Sequence, residues 1–253
     1  MINNNTKIKF KVSIFYATVL LVIIYLINLS FWWSDFENKD NLILKYSNTN
    51  VLNIESYQSL VDHLASEHKL TDDLTKLTST LESHPYVKAA RVSRHYPNQI
   101  IIEIVERNPI AIVNKDPLVL LDEDGFVLPN LPSLKSYDLP IMSNFNSDST
   151  LYPLGEKVLS IKVQQCISLL YDIQVIYNNL YNNLSEMNVT SNNEFELILT
   201  DQPTHIYLGN KNIISRINVL KEFEKELKPQ KISDFSYLDM RYQNQIVARL
   251  RKS

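Results

Sequence analysis

Cysteine is almost missing from this 253-residue chain: a lone Cys166 excludes an internal disulfide framework and any zinc site built on cysteines. Glycine is nearly as scarce, and three dispersed glycines exclude collagen-like or glycine-linker architecture and any Walker or dinucleotide-binding loop. No GxSxG is present either. Basic residues are short too, 25 against 28 acidic ones, and Lys7, Lys9 and Lys11 fall in the first eleven positions, so the rest of the chain carries a net charge of −6. A body of that sign repels phosphate backbones, so no nucleic acid is expected as a partner. What is present is apolar substance. At 45% hydrophobic, the chain has enough to bury a sizeable core in about one to three folded units.

Charge is absent altogether from Val12 to Ser34. A helix of that length rises roughly 34 Å against a hydrocarbon core about 30 Å thick. Trp32 and Trp33 close the run as an aromatic belt would, the three lysines precede it, and Asp35, Glu37 and Asp40 follow it. The positive-inside rule then predicts a cytoplasmic stub (1–11), a transmembrane helix (12–34) and an external body. Bulky residues after the run (Phe31, Trp32, Trp33) oppose a signal-peptidase site, and a buried core helix is seldom apolar on every face.

Beyond a polar spacer (35–41), Leu42–Tyr46 reads as a strand. Ser56 reads as the cap of a helix through Tyr57, Leu60, Val61 and Leu64, and Leu70–Leu81 as a second helix with Asp72 and Asp73 in its first turn. Val87–Tyr96 and the β-branched Ile100–Val105 are the next strands, giving β-α-α-β-β over 42–108. From Pro109 onward strands dominate: Ile110–Asn114, Leu118–Asp122, and a hairpin turned at Asp124-Gly125. A long helix is predicted over Val158–Leu180, then strands at 185–190, 194–200 and 205–208, a helix over 212–227, and a last strand pair, 235–241 and 245–250. The fold class is therefore α+β.

The residues with most catalytic promise are Asp122 and Asp124. An Asp-x-Asp pair holds a divalent metal and a sugar nucleotide in type II membrane glycosyltransferases, and the competing reading is a hairpin turn completed by Gly125. His63 and His68 are five apart, off the i, i+4 ligand spacing. No metal, cofactor or small-molecule substrate is expected, and no enzymatic activity.

Two stretches carry a resemblance. Pro85-Tyr86-Val87-Lys88-Ala89-Ala90-Arg91-Val92-Ser93-Arg94-His95-Tyr96-Pro97, continued by Val105-Glu106-Arg107-Asn108-Pro109-Ile110-Ala111, resembles the POTRA domain of the bacterial cell-division FtsQ/DivIB family. Leu118–Pro129 resembles the hairpin that starts the family's β domain, and Tyr237-Leu238-Asp239-Met240-Arg241-Tyr242 its closing strand. The resemblance implies a POTRA domain at 42–108 and a mixed, mainly antiparallel β domain with helices at 109–253. It implies a non-enzymatic scaffold in the inner (plasma) membrane at the division septum. The expected partners are FtsB-like and FtsL-like bitopic membrane proteins and other divisome proteins. Their site would be Tyr242, Gln243, Asn244, Gln245, Ile246, Val247, Ala248 and Arg249, with Tyr242 the aromatic anchor of a captured strand. Some relatives carry an upstream arginine that pairs with the partner; Ser191-Asn192-Asn193-Glu194 has none here. Arg249 and Arg251 offer charge for an acidic partner instead, and Arg91, Arg94 and Arg107 are candidate exposed cations of the POTRA module. Another POTRA-bearing assembly module is the remaining alternative.

Overall fold

The computed structural model describes residues 15–30, 43–47, 49–67, 73–95, 99–130, 138–243 and 245–251. Residues 15–30 form helix α1, exposed along its whole length. Among the described residues no helix is long and apolar enough to cross a membrane. The expected span is wider at both ends: 12–14 and 31–34 lie outside the described residues, as do the spacer 35–41 and the stub 1–11.

Strand β1 (Ile43–Ser47), helices α2 (Ile54–Glu67) and α3 (Leu74–Glu82), and strands β2 (Val87–His95) and β3 (Gln99–Glu106) follow in the predicted order, and the strands form a sheet ordered β1-β3-β2. Alternate isoleucines 100, 102 and 104 of β3 are fully buried, as a half-buried strand requires. α2 begins two residues before Ser56, whose amide bonds to Asn53 O at 3.0 Å, so Ser56 is not the cap. Asp73 is the N-cap of α3, accepting from Lys76 N at 2.9 Å, rather than a first-turn acid; 68–72 lie outside the described residues.

Nine strands make the second sheet, ordered β12-β11-β10-β9-β8-β7-β4-β5-β6. They are β4 (Pro109–Val113), β5 (Val119–Asp122), β6 (Val127–Leu128), β7 (Ile141–Ser143), β8 (Leu184–Val189), β9 (Phe195–Leu199), β10 (His205–Gly209), β11 (Phe235–Asp239) and β12 (Val247–Leu250). Pairing is antiparallel except at β4–β7, β7–β8 and β10–β11. Parallel neighbours need a crossover. α4 (Ile161–Ile176) and α5 (Asn178–Asn182) supply it between β7 and β8, and α6 (Ile213–Glu226) between β10 and β11. Their buried faces (Val163, Ile167, Leu170, Ile217, Leu220) join Met187, Leu197, Ile206 and Leu238 in one core.

One further expectation is corrected here, and one strand was not foreseen. The single helix predicted over 158–180 breaks at Tyr177 (φ −142, ψ 66), whose hydroxyl is held by Glu224 of α6, so α4 and α5 are separate. β7 has no counterpart in the sequence reading.

By compactness the chain divides into two units, Met1–Ser47 with Arg91–Ile102, and Asn48–Ala90 with Glu103–Ser253. The sites described below lie in the second.

Candidate functional site: an open sheet edge

Sheet edges expose unpaired N–H and C=O groups, and proteins that do not use them cover them. At one end of the nine-stranded sheet, β6 is covered. Lys157 bridges Phe126, Leu154 bridges Val127, Val127 N donates to Glu156 O and Gly155 N to Val127 O, each at 2.9 Å. At the other end is β12, with β11 its neighbour on one side and all four residues exposed. Val247 is 39% and Leu250 55% exposed.

The structure places seven of the eight predicted site residues; Asn244 lies outside the described residues. Val247, Ala248 and Arg249 lie on the strand. Tyr242, Gln243, Gln245 and Ile246 belong to the connection from β11, because β11 ends two residues earlier and β12 begins two residues later than predicted. Tyr242 is 53% exposed, whereas Ile246 is tucked against the core. β12 pairs antiparallel with β11 through Asp239↔Val247, Leu238↔Ala248, Tyr237↔Arg249 and Phe235↔Leu250, with a bulge at Ser236, whose hydroxyl donates to Arg249 O at 3.0 Å. Arg251 is not a surface cation. Its guanidinium turns inward to Phe235 O (3.2 Å) and Thr204 Oγ1 (3.4 Å).

The exit from β11 is held tightly. Arg241 grips Asp239 through Nε (2.9 Å) and Nη2 (2.6 Å), reaches Glu194 at 3.1 Å, and lies 5.3 Å from the Tyr207 ring centre. Glu194, from the stretch that lacks the relatives' arginine, thus meets an arginine of its own chain. Arg216 of α6 donates to Leu208 O and, at 2.9 Å, to Arg241 O.

The side-chain hydrogen bonds from Arg241 are the largest cause holding the Asp239 carboxyl below its usual pKa, with the nearby Arg241 and Arg216 charges adding to them. A depressed folded-state pKa gives stability that is full above the unfolded value, about 3.9, and is lost as pH falls through the folded one. The wild type is therefore expected to be more stable than Asp239→Asn at pH 7, with the gap shrinking below about pH 4. Denaturant titrations at pH 7 and 3 measure it, and a gap independent of pH would contradict the ion pair.

Asp122 and Asp124 are committed elsewhere. Asp122 is 1% exposed; one carboxylate oxygen takes Arg107 Nη1 at 2.7 Å, and the other accepts from Phe126 N (2.7 Å) and Asp124 N (3.0 Å). Lys88 lies 2.8 Å from both Glu123 and Asp124, and lowers the pKa of Asp124. Fixed cations thus stand where a sugar nucleotide's metal would have to bind. Among the described residues no cluster of three His, Cys, Asp or Glu is placed to hold a metal. Arg107, expected as an exposed POTRA cation, is 10% exposed at its side chain and lies 3.5 Å over the Phe126 ring. Arg94 is exposed as expected. Cys166 is buried, which pushes its thiol pKa up to about 12, the pattern of an inert core thiol.

The neighbouring motif glutamate, Glu106, was not singled out from sequence. Its buried carboxylate accepts from the backbone N–H groups of Asn50 (2.5 Å), Val51 (2.7 Å) and Leu52 (3.1 Å) and from Tyr57 Oη (2.7 Å), fixing the entry to α2. The signal was there: an acid at the end of an apolar strand needs a donor set.

Residues 108–249 match the family model described as FtsQ/DivIB, C-terminal related, and residues 48–107 match the POTRA domain, FtsQ-type. Three curated relatives bear the name cell division protein FtsQ. The one from Koribacter versatilis is 25% identical over 171 residues, covering 66% of this chain and 48% of the relative. That from Syntrophotalea carbinolica is 23% identical over 178 residues (70% and 62%), and that from a Geobacter species 24% over 184 residues (70% and 64%). The chain therefore spans about half to two thirds of the length of these relatives.

Proposed function

The chain belongs to the FtsQ/DivIB family, and from that premise we propose that it is a non-enzymatic scaffold of the bacterial division machinery whose β12 edge captures an extended segment of a partner. The observation that carries this is the contrast between the two sheet ends: β6 is covered, whereas among the described residues nothing pairs with the outer side of β12, with exposed Val247 and Leu250 on it and Tyr242 beside it. Main-chain hydrogen bonds along the edge supply affinity, and side chains on alternate faces supply selectivity. The partners are FtsB-like and FtsL-like bitopic membrane proteins, and through them the scaffold helps control septal wall synthesis. The uncharged run 12–34 anchors the chain in the inner membrane with its N-terminus in the cytoplasm, and the body, 42–108 and 109–253, stands outside at the septum. A glycosyltransferase is disfavoured by the ion pairs that occupy Asp122 and Asp124.

The test is capture from native membranes with the full chain in detergent. Wild type is expected to retain small bitopic partners. Tyr242→Ala is expected to lose at least about tenfold in affinity, as truncation of an aromatic anchor does. The double variant Val247→Lys/Leu250→Lys, which places the residues that natural edges use against pairing, should lose capture altogether. Full capture by both variants, at unchanged thermal stability, would contradict the assignment of the edge.

A further inference from the structure

The cross-strand register of the sheet says what kind of segment the edge accepts. Leu238 is fully buried in the core shared with α4 and α6, so its neighbours Tyr237 and Asp239 point to the opposite, open side of the sheet. Tyr237 pairs with Arg249 and Asp239 with Val247, which puts Arg249 and Val247 on that open side. Leu238 pairs with Ala248 and Phe235 with Leu250, which puts Ala248 and Leu250 on the core side. An added strand continues both alternations.

Four arginines lie near this edge, and three are committed. Arg241 is bound to Asp239 and Glu194, Arg216 to the carbonyls of Leu208 and Arg241, and Arg251 to Phe235 O and Thr204. The carboxylates of the open side on the three strands next to β12 are committed as well: Asp239 to Arg241, and Glu196 to His205 at 2.7 Å. Arg249 is exposed, and among the described residues no carboxylate pairs with it. It stands on the bare strand between Ala248 and Leu250, in a body whose net charge outside the first eleven residues is −6.

We infer that the segment pairing with β12 presents an acidic side chain opposite Arg249 and apolar side chains at the flanking positions that face Ala248 and Leu250. This rests on the strand-capture reading above. Residues directly opposite on neighbouring strands have Cβ atoms about 4.5–5.5 Å apart, so an acid there meets the guanidinium, while a lysine or arginine is repelled. Arg249 thereby selects among extended segments that the main-chain bonds alone would accept equally.

The experiment uses the full chain in native membranes. Arg249→Lys keeps the charge and supplies an amine. A water-soluble carbodiimide activates a touching carboxylate, the amine displaces the activating group as a urea, and an amide bond records the pair. Peptide mapping is expected to find this bond between position 249 and an aspartate or glutamate of another chain, inside a segment with apolar residues on alternate positions. Arg249→Glu is expected to weaken capture about tenfold, since an attraction becomes a repulsion. If the partner protects the β12 amides from hydrogen exchange but no carboxylate bonds to position 249, the acidic residue is overturned and the edge stands. If the amides gain no protection, the strand-capture reading falls and this inference with it. A bond to a carboxylate of the same chain would also overturn it.

Discussion

Glu106→Ala is expected to destabilise the protein by about 2–4 kcal/mol, since each buried donor left without an acceptor costs about 1–3 kcal/mol and water can reach some of them. The carboxylate is 8% exposed and satisfies four donors: the amides of Asn50, Val51 and Leu52 and the hydroxyl of Tyr57. Alanine leaves the Tyr57 hydroxyl, on a residue of zero exposure, without its acceptor. Asn50 is at the surface, and its amide can turn to water, which keeps the loss from being the sum of four bonds. Glu106→Gln retains the shape and two acceptor positions but not the charge, and about half the loss is expected. Tyr57→Phe, which deletes one donor and leaves the other three, should cost about 1–1.5 kcal/mol. Urea denaturation measures all three. A Glu106→Ala loss below about 1 kcal/mol would show that the entry to α2 is held by something else.

Gly209→Ala is the second large effect. Gly209 ends β10 at φ +73, a conformation that costs an L-residue about 1–2 kcal/mol. A Cβ there would sit 2.7 Å from Arg216 Nη1 and 3.2 Å from Arg241 Cγ. Arg216 must then move, and its charged bonds to Leu208 O and Arg241 O weaken. We expect a loss of about 2–4 kcal/mol, seen as a fall in the denaturation midpoint, together with weaker partner capture because the chain leaves β11 through Arg241 toward Tyr242. Arg216→Met, which has no donor but needs no strained backbone, should reproduce the capture defect with a smaller loss of stability. Gly209→Ala at wild-type stability would contradict the clamp.

These two sites show where sequence reasoning reached and where it stopped. Ile100, Ile102 and Ile104 alternate, and the Asp124-Gly125 pair turns a hairpin, so β3 and the β5–β6 pair were legible from local chemistry. The break at Tyr177 was not, because no proline or glycine stands at 176–179 to mark it. β7 escaped because three residues carry no period; its pairing with β4 and β8 makes it a strand. Within the candidate site, Val247, Ala248 and Arg249 of the closing stretch lie on an edge strand. Which of Arg249 and Arg251 faces outward depends on the bulge at Ser236 and on Thr204, neither of them near in sequence. Arg107 and Glu106 illustrate the reverse case. Adjacent in one motif, they serve two structural anchors, the Asp122 turn and the entry to α2.

The central claim is that β12 is a docking strand, and amide hydrogen exchange tests it most directly. The full chain, in native membranes with its partners and after their removal, would be followed at residues 245–250. The account predicts fast exchange at the outward-facing amides of the isolated chain and marked slowing when the partners are present, confined to β12 and its approach. Equal exchange in both states, with partners demonstrably bound, would contradict strand capture at this edge.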